Sequence, residues 1–384
     1  MKKILSNLSG IFVLQIAIYL FINTIFLLKY LSRVSSHSTE ASILYAVFVL
    51  AGFFVFKAYQ HKIPEKVFKI SFWIVLIIVV LAIAGLLIYI DKYAVRVDRW
   101  SAVVYFLDAL FRGEYPYGAH THVSETNFPS PFPVWYLINL PFYLMGETGI
   151  GLIFFLLLTA FSVKVFFGSY RKSFLFLILI LISPAYWWEV AVRSDSLSNV
   201  FLIFAFIIWF DRKKYSLANN FWLCVLACGL LASTRFSAMI PLALLFFKPY
   251  VYLPWQKKIL FPIAVLGIIV LTFSPFIFWD TDTWIFFQRN PFMSQASVGN
   301  IYLLLAMVAI GCFAAFRWKN TAEYFNIASL FMFGFILLSQ ISLIVTRGVD
   351  GHIFDDSLYD ISYFTLALPY CCAVLVAQSF KNDK

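Results

Sequence analysis

VDRWSAVVYFLDALFRGEYPYGAH, residues 97–120, sets Asp98, Arg99, Asp108, Arg112, Glu114 and the triplet Tyr115-Pro116-Tyr117 after one long apolar run, 70–90, and before another, 149–168. A charged and aromatic passage in that place reads as a loop outside a bilayer, and the runs beside it as helices within one. The whole chain agrees. It is 62% hydrophobic and 12% charged, with a mean hydropathy of +0.87, against roughly 45–50% apolar and 25% charged in a soluble domain. The expected fold class is an all-α polytopic membrane protein.

Apolar runs fall at 11–28, 41–58, 70–90, 149–168, 173–187, 196–210, 217–232, 236–247, 259–278, 299–316, 324–345 and 361–379. They predict about twelve transmembrane helices, since about 20 residues cross a hydrocarbon core of about 30 Å. The further stretch 134–145 is cut off by Gly146-Glu147-Thr148-Gly149, too short to cross alone, and reads as interfacial or re-entrant. The run 11–28 follows Met1-Lys2-Lys3 as a signal peptide would, but it exceeds an h-region and no small-residue cleavage site follows, so it reads as the first span.

Charge sets the orientation. Lys2, Lys3, Lys57, Lys62, Lys66, Lys69, Arg171, Lys172, Arg212, Lys213, Lys214, Lys248, Lys257, Lys258, Arg317, Lys319, Lys381 and Lys384 fall in alternate turns, where the only acids are Glu65, Asp211, Glu323 and Asp383. The positive-inside rule makes those turns cytoplasmic, with both termini, and puts the longer loops 91–133, 184–195, 279–298 and 346–360 outside. Topology thus accounts for the net charge of +10, and the absence of a single basic patch argues against a nucleic-acid partner. The cysteines, Cys224, Cys228, Cys312, Cys371 and Cys372, lie inside apolar runs, where neither a disulfide framework nor a zinc site is expected. No internal repeat or soluble domain interrupts the chain, so residues 1–384 read as one membrane-embedded domain that works through its outer loops.

In the first outer loop Trp100, Val103, Val104, Leu107, Leu110 and Phe111 recur at spacings of three and four. That spacing predicts an amphipathic helix on the membrane surface, with Asp98 at or near its N-cap and Gly113 past its end. Capping is the plain reading of Asp98, and a solvated helix face that of Asp108. Beyond the helix come His120, His122, Glu125 and the prolines 129, 131 and 133, which predict a stiff, extended loop. Loops of that length inside a membrane domain are more often functional than idle. Most of the 11 Trp and 21 Tyr read as interfacial anchors.

Asp98, then Tyr105 seven residues on, LFRGEYPY (110–117) and the proline-rich helix entry FPSPFPVWYLINLP (128–141) form a pattern. It resembles polytopic glycosyltransferases of the GT-C superfamily, above all their bacterial polyprenyl-phosphate-mannose-dependent mannosyltransferase-like branch. VRSDSLSNVFLIF (192–204), STRFSAMIPLALLFF (233–247) and DSLYDISYFTLALPY (356–370) are similar to later passages of that family. The resemblance covers most of 70–370. It departs from the family in two additional spans within 1–69 and in the turn Gly113-Glu114-Tyr115-Pro116-Tyr117, which is close to the family's Gly-x-x-Pro-Tyr-like turn without matching it.

The resemblance implies an enzyme of the bacterial inner membrane, active on its extracytoplasmic face. It would take a sugar, mannose by likeness alone, from a polyprenyl phosphate and pass it to a hydroxyl of a glycolipid, glycan or protein. One carboxylate serves an inverting displacement as general base, unlike glycoside hydrolysis, which needs two at fixed separation; Asp98 is the candidate. A lipid-phosphate leaving group calls for cations, and arginine presents a forked set of donors. Arg193, Arg235, Arg289 and Arg347 all stand at outer span ends, against the positive-inside trend, and Arg193, Arg235 and Arg347, with His352, are assigned to the donor phosphate. Tyr105, Tyr117, His120, His122, Trp188 and Asp195 are assigned to substrate contacts. A divalent metal on His120, His122 and Glu125, or on Asp280, Asp282, Asp355 and Asp356, lacks a defined ligand count, so no cofactor is expected. Membrane lipids are the remaining partners. A transporter or flippase of lipid-linked sugars would show two related halves and ionisable groups at the midplane; a glycan polymerase or ligase would share the outer site with other residues.

Overall fold

The computed structural model of the chain describes residues 9–296, 301–348 and 359–380. Every regular element among the described residues is helical. In lipid no water is present to satisfy backbone N–H and C=O groups, so a chain this apolar must satisfy them within its own segments, as helices do.

Among the described residues seven helices are long and apolar enough to cross a membrane: Gly10–Leu31, Ser38–Lys62, Glu65–Tyr89, Ile150–Phe167, Trp255–Ile277, Thr321–Arg347 and Ile361–Ser379. An eighth span results if Tyr170–Leu181 and Pro184–Ala191, bent by 64° at their break, are counted together. Pro184 accounts for the break, because it lacks a donor and disfavours the helical region for the residue before it. The expectation of about twelve spans divides here. Phe221–Ala232, Phe236–Val251 and Ile301–Ala315 are apolar but short, and a 12-residue helix rises only about 18 Å. Asp195–Arg212 carries charges at both ends and is buried on most sides, the signature of a core helix rather than one facing lipid. Apolar runs in the sequence do not separate those two environments.

The chain divides into two compact units, one of Met1–Ala82, Thr159–Glu189 and Trp318–Lys384, the other of Ile83–Leu158 and Val190–Arg317. In the first, the helix Leu368–Ser379 is buried along nearly its whole length and packs against Gly10–Phe26, Tyr170–Leu181 and Thr321–Arg347. Polar side chains link these helices: Gln15 Nε2 donates to Asn326 Oδ1 at 2.9 Å, Ser329 Oγ to Gln15 Oε1 at 2.8 Å, and Tyr19 OH to the Leu179 carbonyl at 2.6 Å. Such bonds are worth about 0.6–2 kcal/mol each between membrane helices. After Phe26 the first helix widens into a π-turn, Leu27–Leu31. There Lys29 Nζ donates to the Tyr359 carbonyl at 2.8 Å, and Tyr30 stacks on Trp188 at 3.5 Å.

The second unit contains the loop 91–133. Its helix Arg99–Phe111 buries Trp100, Ala102, Val103, Phe106, Leu107 and Ala109; of the residues the three-and-four spacing marked, Trp100, Val103 and Leu107 are on this face, while Val104 and Leu110 are half-buried and Phe111 is exposed. Phe106 stacks on Tyr136 at 3.4 Å, joining this helix to Pro133–Leu144, and Gly113 takes φ +72° just past the helix end. Phe221–Ala232 lies close on Trp255–Ile277: a Cβ on Gly229 would stand 2.7 Å from Ile268 Cβ, so only glycine fits there.

Candidate functional site

Asp98 occupies the N-cap position of Arg99–Phe111, but its side chain makes no capping hydrogen bond. Its backbone carbonyl accepts from Ala102 N at 2.8 Å and from Ser101 Oγ at 3.2 Å, and the carboxylate is left out of the helix. Among the described residues that half-buried carboxylate has one partner, Asn127 Nδ2, at 3.4 Å from Oδ2, at the long end of hydrogen bonding. Tyr105 follows two turns along, a rise of about 10 Å. It is half-buried, with its ring 6.0 Å from Trp100, and burial, with Tyr93 and Asp108 nearby, raises its phenol above the ordinary value. Asp108, on another face, accepts from Tyr143 OH at 2.6 Å.

The two loop histidines diverge. His122 Nε2 lies 3.1 Å from the Val95 carbonyl and Nδ1 2.7 Å from Ser101 Oγ. Nε2 must therefore carry a proton, because a carbonyl only accepts. With both nitrogens engaged and its ring 4.8 Å from Trp100, His122 fastens the loop to the helix. His120 instead lies 5.0 Å from Phe128, and the Arg289 guanidinium sits 4.7 Å from the same ring. Glu125 is exposed, and among the described residues no three His, Cys, Asp or Glu side chains are placed to hold a metal ion. Asp280 closes a turn: its oxygens accept from Thr283 Oγ1 and from the Asp282 and Thr283 N–H groups. The Thr283 hydroxyl first, then these amides, hold its carboxyl below the usual range.

The tyrosines of the Tyr115-Pro116-Tyr117 triplet tie the loop down. Tyr115 OH donates to the Arg289 carbonyl at 2.7 Å. Tyr117 is buried against Phe106 and Phe276, at 4.9 and 5.3 Å, and its hydroxyl donates to the Pro131 carbonyl at 3.3 Å. Of the expected substrate tyrosines, Tyr105 is partly open and Tyr117 lies in the packing.

The expected phosphate-binding arginines of this unit are engaged in it. Arg193 is buried with a left-handed backbone, φ 52°. Its Nη2 donates to the Leu87 and Ile90 carbonyls at 2.7 and 2.9 Å, and its Nε to Glu147 Oε2 at 3.2 Å. Those carbonyls belong to the end of the helix Glu65–Tyr89, where the last acceptors lack intrahelical donors and the dipole favours a cation. Arg235 pairs with Asp195, and both side chains are buried. Around the pair, Asn199 Nδ2 donates to Thr234 Oγ1 at 2.8 Å, and the N–H groups of Phe132 and Val134 reach the Thr234 and Ser233 carbonyls at 2.9 and 3.1 Å. The Tyr136 hydroxyl, which feels both charges, is buried without a hydrogen-bond partner among the described residues, as are Ser194 Oγ and Asn199 Oδ1.

In the other unit, Trp188 stacks on Tyr30 and Arg347 is exposed at the end of Thr321–Arg347. His352, Asp355 and Asp356 lie outside the described residues. Sequence reasoning missed Ser101, Asn127, Phe128 and Glu147 as partners. Ser101 sits in the helix Arg99–Phe111, and the other three belong to polar or proline-rich loops where no periodicity marks which side chain meets which. No protein-family model matches the chain, and neither a curated protein nor a solved structure does.

Proposed function

We propose that the protein is a GT-C-like glycosyltransferase of a bacterial inner membrane that moves a sugar from a polyprenyl phosphate to an acceptor hydroxyl on the extracytoplasmic face. The sequence likeness points to mannose. The observation that carries the reading is the state of Asp98: a carboxylate at the head of a helix that, among the described residues, is committed neither to the cap nor to a cation and touches one neutral amide. A general base needs a carboxylate available in that way.

In the proposed reaction the acceptor oxygen attacks the anomeric carbon and the carbon–oxygen bond to the phosphate breaks. The acceptor proton passes to Asp98, and the electron pair leaves with the phosphate. Arg289 is suited to receive that charge: it is exposed, it stacks on Phe128, and no carboxylate among the described residues forms an ion pair with it. Asn127 and Phe128 are adjacent in the chain, one touching Asp98 and the other under Arg289, so base and cation flank one dipeptide. Arg193 and Arg235, by contrast, serve a helix end and a buried ion pair.

The test is transfer from radiolabelled polyprenyl-phosphate-mannose to a membrane lipid extract by purified wild type and Asp98→Asn. The reading expects product from wild type alone. Equal turnover by Asp98→Asn would remove the base, and no transfer by wild type from mannose, arabinose or glucose donors would sink the class.

A further inference from the structure

We infer that Asn127 is the positioning residue of Asp98, delivered by a strap, residues 121–127, whose other side chain His122 is pinned to the first turn of the same helix; its consequence for catalysis rests on the glycosyltransferase reading. The strap closes on itself, with Thr121 N donating to the Asn127 carbonyl at 2.9 Å and Asn127 N to the Ser124 carbonyl at 3.2 Å. His122 then fastens it at three points: Nε2 on the Val95 carbonyl, Nδ1 on Ser101 Oγ, and its N–H on the same Oγ at 3.4 Å. Ser101 Oγ is also 3.2 Å from the Asp98 carbonyl. Strap, serine and aspartate therefore form one hydrogen-bonded unit, and the Asn127 amide reaches Asp98 Oδ2 from a fixed base.

The chemistry of the contact suits the task. Among the described residues one donor meets Oδ2, which restrains the carboxylate and leaves Oδ1 for an incoming hydroxyl. Because the donor is a neutral amide, it orients the carboxylate without pairing its charge as an arginine would. Asp195 shows the alternative, with Arg235 bound directly to it.

The experiment has two arms on the full-length protein in liposomes. Wild type and Asn127→Ala are treated with a water-soluble carbodiimide and an amine, and modification of Asp98 is followed by mass spectrometry against Asp91 in the same loop. Asn127→Ala is expected to speed modification of Asp98 about two- to tenfold, the range a neutral hydrogen bond commands, with Asp91 unchanged; Asn127→Gln should fall between. An unchanged Asp98 rate in both variants would overturn the contact, whatever the sugar chemistry. In the transfer assay, Asn127→Ala should lower kcat about tenfold with the donor KM held, and should add nothing in an Asp98→Asn background. An independent loss in that background would mean that Asn127 acts elsewhere. Faster modification in a protein that transfers no sugar would keep the contact and overturn the enzyme reading instead.

Discussion

Asp98 and Asp195 each stand where a loop enters a helix, and the sequence around them looks alike: an arginine close by, serines within one turn, aromatic residues beyond. Their surroundings are opposite. Asp195 is buried with its charge neutralised by Arg235, inside a shell of Tyr136, Ser194, Asn199 and Thr234. Asp98 is half-exposed, and its only partner among the described residues is a neutral amide. A buried carboxylate bound to a guanidinium is an expensive group to disturb; one without a charge partner among the described residues contributes little to folding and is suited to take a proton from a substrate.

The contrast breaks most visibly at Asp98. Asp98→Asn should cut transfer by about 10²–10⁴-fold, the range of general-base catalysis, while the unfolding midpoint in detergent stays within error of wild type. A matching fall in stability would make Asp98 a structural cap after all. Asp195→Asn should do the reverse. It strands a buried guanidinium and is expected to cost about 3–5 kcal/mol, read as a lowered midpoint, with turnover lost only in proportion to folded protein. The double variant Asp195→Asn/Arg235→Gln should recover part of that stability, because no uncompensated charge remains.

Arg289 and Arg193 extend the comparison to the cations with smaller effects. Arg289→Ala should raise the KM for the lipid-phosphate donor about tenfold, as loss of one charge-assisted contact implies, and leave stability alone. Arg193→Lys should leave the donor KM unchanged and cost about 1–2 kcal/mol of stability, since one ammonium cannot reproduce the fork that reaches Leu87, Ile90 and Glu147. An Arg193 variant that weakened donor use at full stability would return it to the phosphate.

Several features were legible in the chain beforehand. The helical class followed from composition, and the helix Arg99–Phe111 from its three-and-four spacing, with Asp98 and Gly113 at its two ends. The number of spans was not, because Phe221–Ala232 is as apolar as a lipid-facing helix and is set apart by its length, whereas the apolar middle of Asp195–Arg212 hides the charges at its ends and the burial of most of its faces. Nor did local pattern show whether an arginine at a span end meets solvent or a helix terminus. Arg193 finds Glu147, 46 residues away, and no short-range signal encodes that pairing. Asn127 was missed for the same reason: in a proline-rich turn, contacts depend on the path of the backbone.

The smallest expected effect concerns metal. Chelation by EDTA should leave transfer unchanged, because the loop groups suited to bind a cation are turned to other partners. His122 has both nitrogens engaged, His120 faces Phe128, and Asp280 is held by its own turn. Recruiting them would mean breaking the His122 bonds that hold the strap against Asp98. A loss of transfer restored by magnesium or manganese would therefore point away from His120 and His122, toward Asp350, His352, Asp355 and Asp356, which lie outside the described residues. Asp355→Asn and Asp356→Asn would then separate the possibilities: a raised metal requirement in either variant places a ligand there, and an unchanged requirement in both excludes these two carboxylates as ligands.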